Sequence, residues 1–132
     1  MFMEHINAAN TVEPFLLVVA TAGESYSPGE ALSIGTDGTV TKCTGANTPA
    51  FICQSKKDSA LAGDTISVTL VHAQQLLEVP LEAAGTALKV GNKVTVGTDG
   101  KAVTATTTGG TFLITEILGT AVGDKVRGYF MR

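Results

Sequence analysis

The chain has 132 residues, a length that suits one domain. Hydrophobic residues make up 44% and charged residues 16%, with 15 Gly and a net charge of −3. Binding to nucleic acid by phosphate neutralisation is thereby excluded, since it needs clustered Lys and Arg. Two His, two Cys and no Trp leave little material for a metal site.

Residues 1–14 read as an N-terminal arm and 15–132 as a single β-domain. The arm shows no clean period and ends at Pro14. Phe2, Met3, Ile6 and Val12 are costly to leave in water, so this segment is expected to dock on a partner. The apolar run Phe15-Leu16-Leu17-Val18-Val19-Ala20 follows. It is far shorter than the ~20 residues that span a bilayer. Glu4 and Glu13 precede it, and the first basic residue is Lys42, so it does not read as a secretion signal. A buried strand is predicted there, in a protein made in cytoplasm and without a membrane partner.

From Pro14 onward, short Val/Ile/Thr/Leu runs are cut by Gly, Asp, Asn and Pro at intervals of ~8–12 residues, the signature of an all-β sandwich or barrel. After 15–20, strands are predicted at 31–34, 39–43, 50–54, 65–72, 75–79, 93–96, 102–106, 111–115 and 125–131. In 65–72, Ile66, Val68, Leu70 and His72 alternate with Thr65, Ser67, Thr69 and Val71, which predicts one face in the core and one in water. Cys43 and Cys53 flank the loop 44–49. In a hairpin they would lie opposite one another, within reach of a cross-strand disulfide, whereas cytoplasmic synthesis favours free thiols.

An internal repeat organises the domain. Residues 29–38 align with 91–100, and both contain Gly-Thr-Asp-Gly, at 35–38 and 97–100. Further on, Leu61-Ala62-Gly63-Asp64 parallels Ala121-Val122-Gly123-Asp124. Asp-Gly supplies the positive φ of a tight hairpin turn, so each copy reads as strand, turn, strand, loop, strand, turn, strand. The expected fold is mainly β. It is a small antiparallel β-sandwich or partly open β-barrel built from pseudo-repeats at about 29–72 and 91–131.

Nothing in the sequence assembles an active site. His5 lies in the arm and His72 ends a strand. The nucleophile, phosphate-loop and metal motifs are absent. Asp37, Asp99, Asp64 and Asp124 are explained by their turns. No catalytic residue, cofactor or metal is expected.

The stretch Ser27-Pro28-Gly29-Glu30-Ala31-Leu32, continuing through Gly35-Thr36-Asp37-Gly38-Thr39-Val40 to the strand after Gly63-Asp64, resembles the capsid decoration, or cement, proteins of tailed bacteriophages. The repeat at 91–129 extends the resemblance. It implies a non-enzymatic virion protein on the outer surface of an expanded capsid. Such a protein binds the major capsid protein and clamps neighbouring shell subunits against internal pressure. It also implies trimers or clusters at local three-fold positions, and an N-terminal segment that orders on the shell. Phe2, Ile6, Val12 and Phe15 are then the expected capsid contacts, and deleting residues 1–12 should leave the β-domain folded. The acidic first third (Glu4, Glu13, Glu24, Glu30, Asp37) could complement a basic shell rim.

Two other readings share the β-pattern. One is an extracellular or surface interaction module, adhesin-like or carbohydrate-binding. It is disfavoured by an aromatic content of 5%. The other is a different virion part, such as a tail-tube or head-fibre base.

Overall fold

A computed structural model describes residues 1–4, 15–72 and 75–131. The strands are β1 (Met3–Glu4), β2 (Phe15–Val19), β3 (Ala31–Ile34), β4 (Val40–Lys42), β5 (Phe51–Cys53), β6 (Thr65–Leu70), β7 (Leu77–Pro80), β8 (Lys93–Val94), β9 (Phe112–Ile117) and β10 (Lys125–Phe130). They form two antiparallel five-stranded sheets, ordered β1-β7-β10-β9-β8 and β2-β6-β5-β3-β4. The fold is an all-β sandwich, as the spacing of turns predicts. The predicted strand at 102–106 is reduced to single bridges from Val103 to Leu81 and Val96. Conversely, β1 forms inside the segment expected to stand apart as an arm.

The pseudo-repeats separate between the sheets. The strands of the first copy, β3 to β6, lie in one sheet, and β8, β9 and β10 lie in the other. Each sheet gains one strand from the segment preceding its repeat: β2 pairs with β6, and β7 pairs with β10. The shared turn signals have shared geometry. Asp64 N–H donates to Leu61 C=O at 3.0 Å, and Asp124 N–H to Ala121 C=O at 3.0 Å. The Asp carboxylates close both turns from the other side, accepting from Leu61 N–H at 2.8 Å and Ala121 N–H at 3.0 Å. A positive φ at Gly63 (88°) and Gly123 (89°) completes a type II turn. Lys89-Val90-Gly91-Asn92 is a third instance, with Asn92 Oδ1 taking the carboxylate's place.

Two cores result. The larger lies between the sheets and joins Ala31, Cys43 and Ile52 to Leu77, Val79, Val94, Phe112, Ile114, Val126 and Phe130. The smaller is built within residues 18–68. There Tyr26, Leu32, Val40, Phe51, Cys53, Ile66 and Val68 pack beneath the 20–26 segment. The β2 sheet curls over this second core, so that Ala20, just past the end of β2, bridges Val40 of β4. Tyr26 fastens the curl, its hydroxyl donating to Val40 C=O at 2.6 Å and accepting from Thr21 N–H at 2.9 Å.

A sheet with a core on each side departs from the expected half-wet pattern. In β6, Thr69 is buried and Leu70 exposed, and in β5 all three residues are buried. The cysteine geometry departs as well. β4 and β5 are not neighbours, because β3 runs between them. Cys43 therefore packs in the larger core and Cys53 in the smaller, each a free thiol. Burial is the main cause that pushes both thiols up from their ordinary pKa, which suppresses the reactive thiolate. We expect Ellman's reagent to titrate no thiol in the native protein over minutes and two after denaturation. Two fast native thiols would contradict this packing.

Candidate interaction surface

Two open depressions mark the described surface. One is lined by Ser33, Ile34, Asn47, Thr48 and Ala50, and another by small and polar residues including Thr86, Asn92 and Thr107. Neither gathers an acid, a base and a nucleophile. Among the described residues no group of three or more His, Cys, Asp or Glu comes together to hold a metal ion.

The outer face of the β7-β10-β9 layer is polar and internally satisfied. Arg127 sits between Glu78 and Glu116, opposite it on the flanking strands. Its Nε donates to Glu78 Oε2 at 2.9 Å and its terminal nitrogen to Glu116 Oε2 at 2.9 Å. The bond to Glu78 is the main influence that raises the guanidinium's pKa and keeps it charged. A ladder of this kind solvates a face well and leaves little to desolvate favourably against a partner. The acidic first third is likewise partly spent inside the molecule. Glu30 is buried against Lys42, and Glu24 accepts from the Thr41 hydroxyl. Asp37 is exposed, but its carboxylate accepts from Thr39 Oγ1 at 2.7 Å, which lowers its pKa. Of Glu24, Glu30 and Asp37, none is left without a partner inside the chain.

The expected contact residues part company. Phe2 is 2% exposed and lies in the larger core. Its N–H donates to Gly29 C=O at 2.7 Å. Its ring lies 5.6 Å from Phe112 and 5.1 Å from Phe130. A side chain so placed is committed to the fold and not offered to a partner. Ile6 and Val12 lie outside the described residues. Phe15 is 64% exposed at the start of β2.

β2 is not the buried strand that its composition suggests. Phe15, Leu16, Leu17 and Val19 are all exposed, with Leu17 at 75%, and exposed Leu70 lies at the end of β6 near Phe15. The cause is topological, since β2 is the outermost strand of its sheet. Its hydrogen-bonding direction follows from the register. Ala20 N–H donates to Asp64 C=O at 2.8 Å, so the alternate residues Val18 and Leu16 turn their backbone groups toward β6. Phe15 and Leu17 therefore point their N–H and C=O groups away, toward the free edge. Nothing in the sequence distinguishes an apolar edge strand from an apolar central one.

Comparison with family models and with curated protein sequences finds no match. Among solved structures, the chain is similar in fold to the N base of the head fiber protein gp8.5 of bacteriophage phi29. The TM-score is 0.59 at 18% identity, over 89% of this chain and 95% of that one.

Proposed function

We propose that the chain is a structural virion protein seated on the outer surface of a phage head, where it bridges neighbouring subunits of the major capsid protein and stabilises the shell. The observation that carries this reading is the shared fold with a phage head-fiber base, which extends over nearly the whole of both chains. The surface supports it with an exposed apolar strand, Phe15–Val19, at the edge of a sheet. Contacts come from the segment holding Ile6 and Val12 and from the apolar strand opened by Phe15. Copies gather around local three-fold positions, so many weak contacts add up over one particle. The same fold likeness favours a second reading, a base that carries a fibre on the head.

The test is co-sedimentation with expanded, undecorated heads. Saturable binding at a fixed copy number is expected, together with heads that resist heat or osmotic shock better than bare ones. Replacing Ile6 and Val12 together by Ser should weaken binding by at least about tenfold, the loss of two buried aliphatic contacts. Saturable binding that leaves head stability unchanged would select the fibre-base reading. Absence of binding to any head would overturn both.

A further inference from the structure

The two sheets share four corresponding strands in the same order, and they differ beyond them at either end. In one, β7 is covered along its outer edge by β1, with Met3 opposite Glu78 and Glu4 opposite Leu77. In the other, β2 holds the equivalent position, and among the described residues nothing pairs along the outer side of Phe15–Leu17, the far edge of the sheet reaching this strand only past its end, where Ala20 bridges Val40. Sheet edges are ordinarily guarded by short length, charge or proline. The other outermost strands follow that rule: β1 has two residues with Glu4, β8 two with Lys93, and β4 three with Lys42. β2 has five residues and no charge, and its partner β6 has none either.

We propose that the β2 edge is covered by the β2 edge of a second copy of this chain, paired antiparallel across a two-fold axis. The strand is its own complement. With Leu16 on the axis, Phe15 of each copy lies opposite Leu17 of the other. Both are residues whose backbone groups point outward, so the free N–H and C=O groups of each are satisfied together. The facing side chains are aromatic against aliphatic, a favourable cross-strand pair. Electrostatics selects the same surface. Two molecules of net charge −3 meet at least cost where neither carries a charge, and the β2–β6 ladder is such a surface. A partner of unrelated sequence has to supply that complementarity, whereas a second copy brings it by symmetry.

The inference revises the head-surface reading at one point: it assigns Phe15 to contacts between copies, leaving Ile6 and Val12 for the shell. On an icosahedral shell, neighbouring local three-fold positions face each other across local two-folds, so the same join would tie one cluster of copies to the next.

Sedimentation equilibrium of the purified chain tests it at about 100 µM, where edge contacts of modest area are populated. The expected mass is that of two chains. Leu17→Lys should weaken the association at least about tenfold by burying an unpaired charge at the join. Leu17→Pro is the finer probe. The Leu17 N–H points away from β6, so proline removes the outward donor without breaking a bond to β6. Val90→Lys, at an exposed turn elsewhere, should leave the mass unchanged. Circular dichroism and the unfolding midpoint establish that each variant is folded, and Leu17→Lys decides the matter if the proline variant is not. A wild-type mass of one or of three chains overturns the proposal, as does a two-chain mass that persists in the folded Leu17 variants.

Discussion

Phe2→Ala is expected to lower the free energy of unfolding by about 3–5 kcal/mol, the range for deleting a large aromatic side chain from a packed interior. Three rings meet at this point. Phe2, Phe112 and Phe130 lie with centroids 5.1–5.6 Å apart, and the Phe112–Phe130 and Phe2–Phe112 pairs are edge-on at 69°. Phe112 and Phe130 come from β9 and β10, whereas Phe2 arrives from the chain's first residues, so the cavity opened by truncation cannot be closed by a neighbour on the same strand. The Phe2 N–H bond to Gly29 C=O also ties the start of β1 to the turn leading into β3, on the opposite sheet. Removing residues 1–12 should therefore destabilise the whole domain and not merely detach an appendage. Urea denaturation of the wild type and of Phe2→Ala measures this. A loss below about 1 kcal/mol, typical of surface substitutions, would mean that the ring does not occupy the core in solution. An assay of head binding that relies on that truncation would confuse folding with attachment, whereas the Ile6 and Val12 replacements leave the aromatic triplet intact.

The strand-and-turn punctuation makes the fold class readable before any coordinates, because Asp-Gly and Gly-Asp pairs carry their own backbone requirement. Gly-Thr-Asp-Gly occurs twice, and in both copies the Asp carboxylate accepts from the N–H two residues on, at Thr39 and Lys101, each at 3.1 Å. What the repeat does not reveal is that identical strings serve different purposes. A Cβ added at Gly38 would meet nothing within 4 Å, whereas at Gly100 it would meet Ala31 C=O at 2.7 Å. The second turn is wedged against the first copy, with Ala31 N–H donating to Gly100 C=O at 2.8 Å. That difference is tertiary and leaves no local trace.

The apolar segments mislead for a related reason. Burial tracks hydrophobicity only on average, and position in the sheet decides the remainder. Phe15–Val19 reads as an interior strand and lies at an edge. Phe2 reads as a loose anchor and lies in the core. The spacing of Cys43 and Cys53 suggests facing strands, yet a strand that precedes both in sequence is inserted between them. Long-range order of this kind depends on which strands pair, and in β-proteins pairing is set by contacts far apart in sequence.

The strongest electrostatic prediction concerns Lys42 and Glu30. Glu30 is 1% exposed, and its carboxylate pairs with the Lys42 ammonium, which also donates to Ser25 C=O at 3.1 Å. Glu30 sits where the turn after Ser27 enters β3, and Lys42 ends β4 opposite Leu32. The pair thus locks the entry of the first repeat to its hairpin. Lys42→Met keeps the aliphatic stem and removes the charge, leaving a carboxylate buried without its cation. Removing one partner of a buried pair typically costs about 3–5 kcal/mol, because the remaining ion keeps its desolvation penalty. Lys42 is 28% exposed at its side chain, so water reaches the pair and the lower end of that range is expected. The double replacement Lys42→Met with Glu30→Gln should recover much of the loss, since no unpaired charge is then buried. Chemical denaturation of wild type, single and double variants at neutral pH separates these contributions. A Lys42→Met protein as stable as wild type at neutral pH would show that Glu30 reaches solvent when its partner is gone.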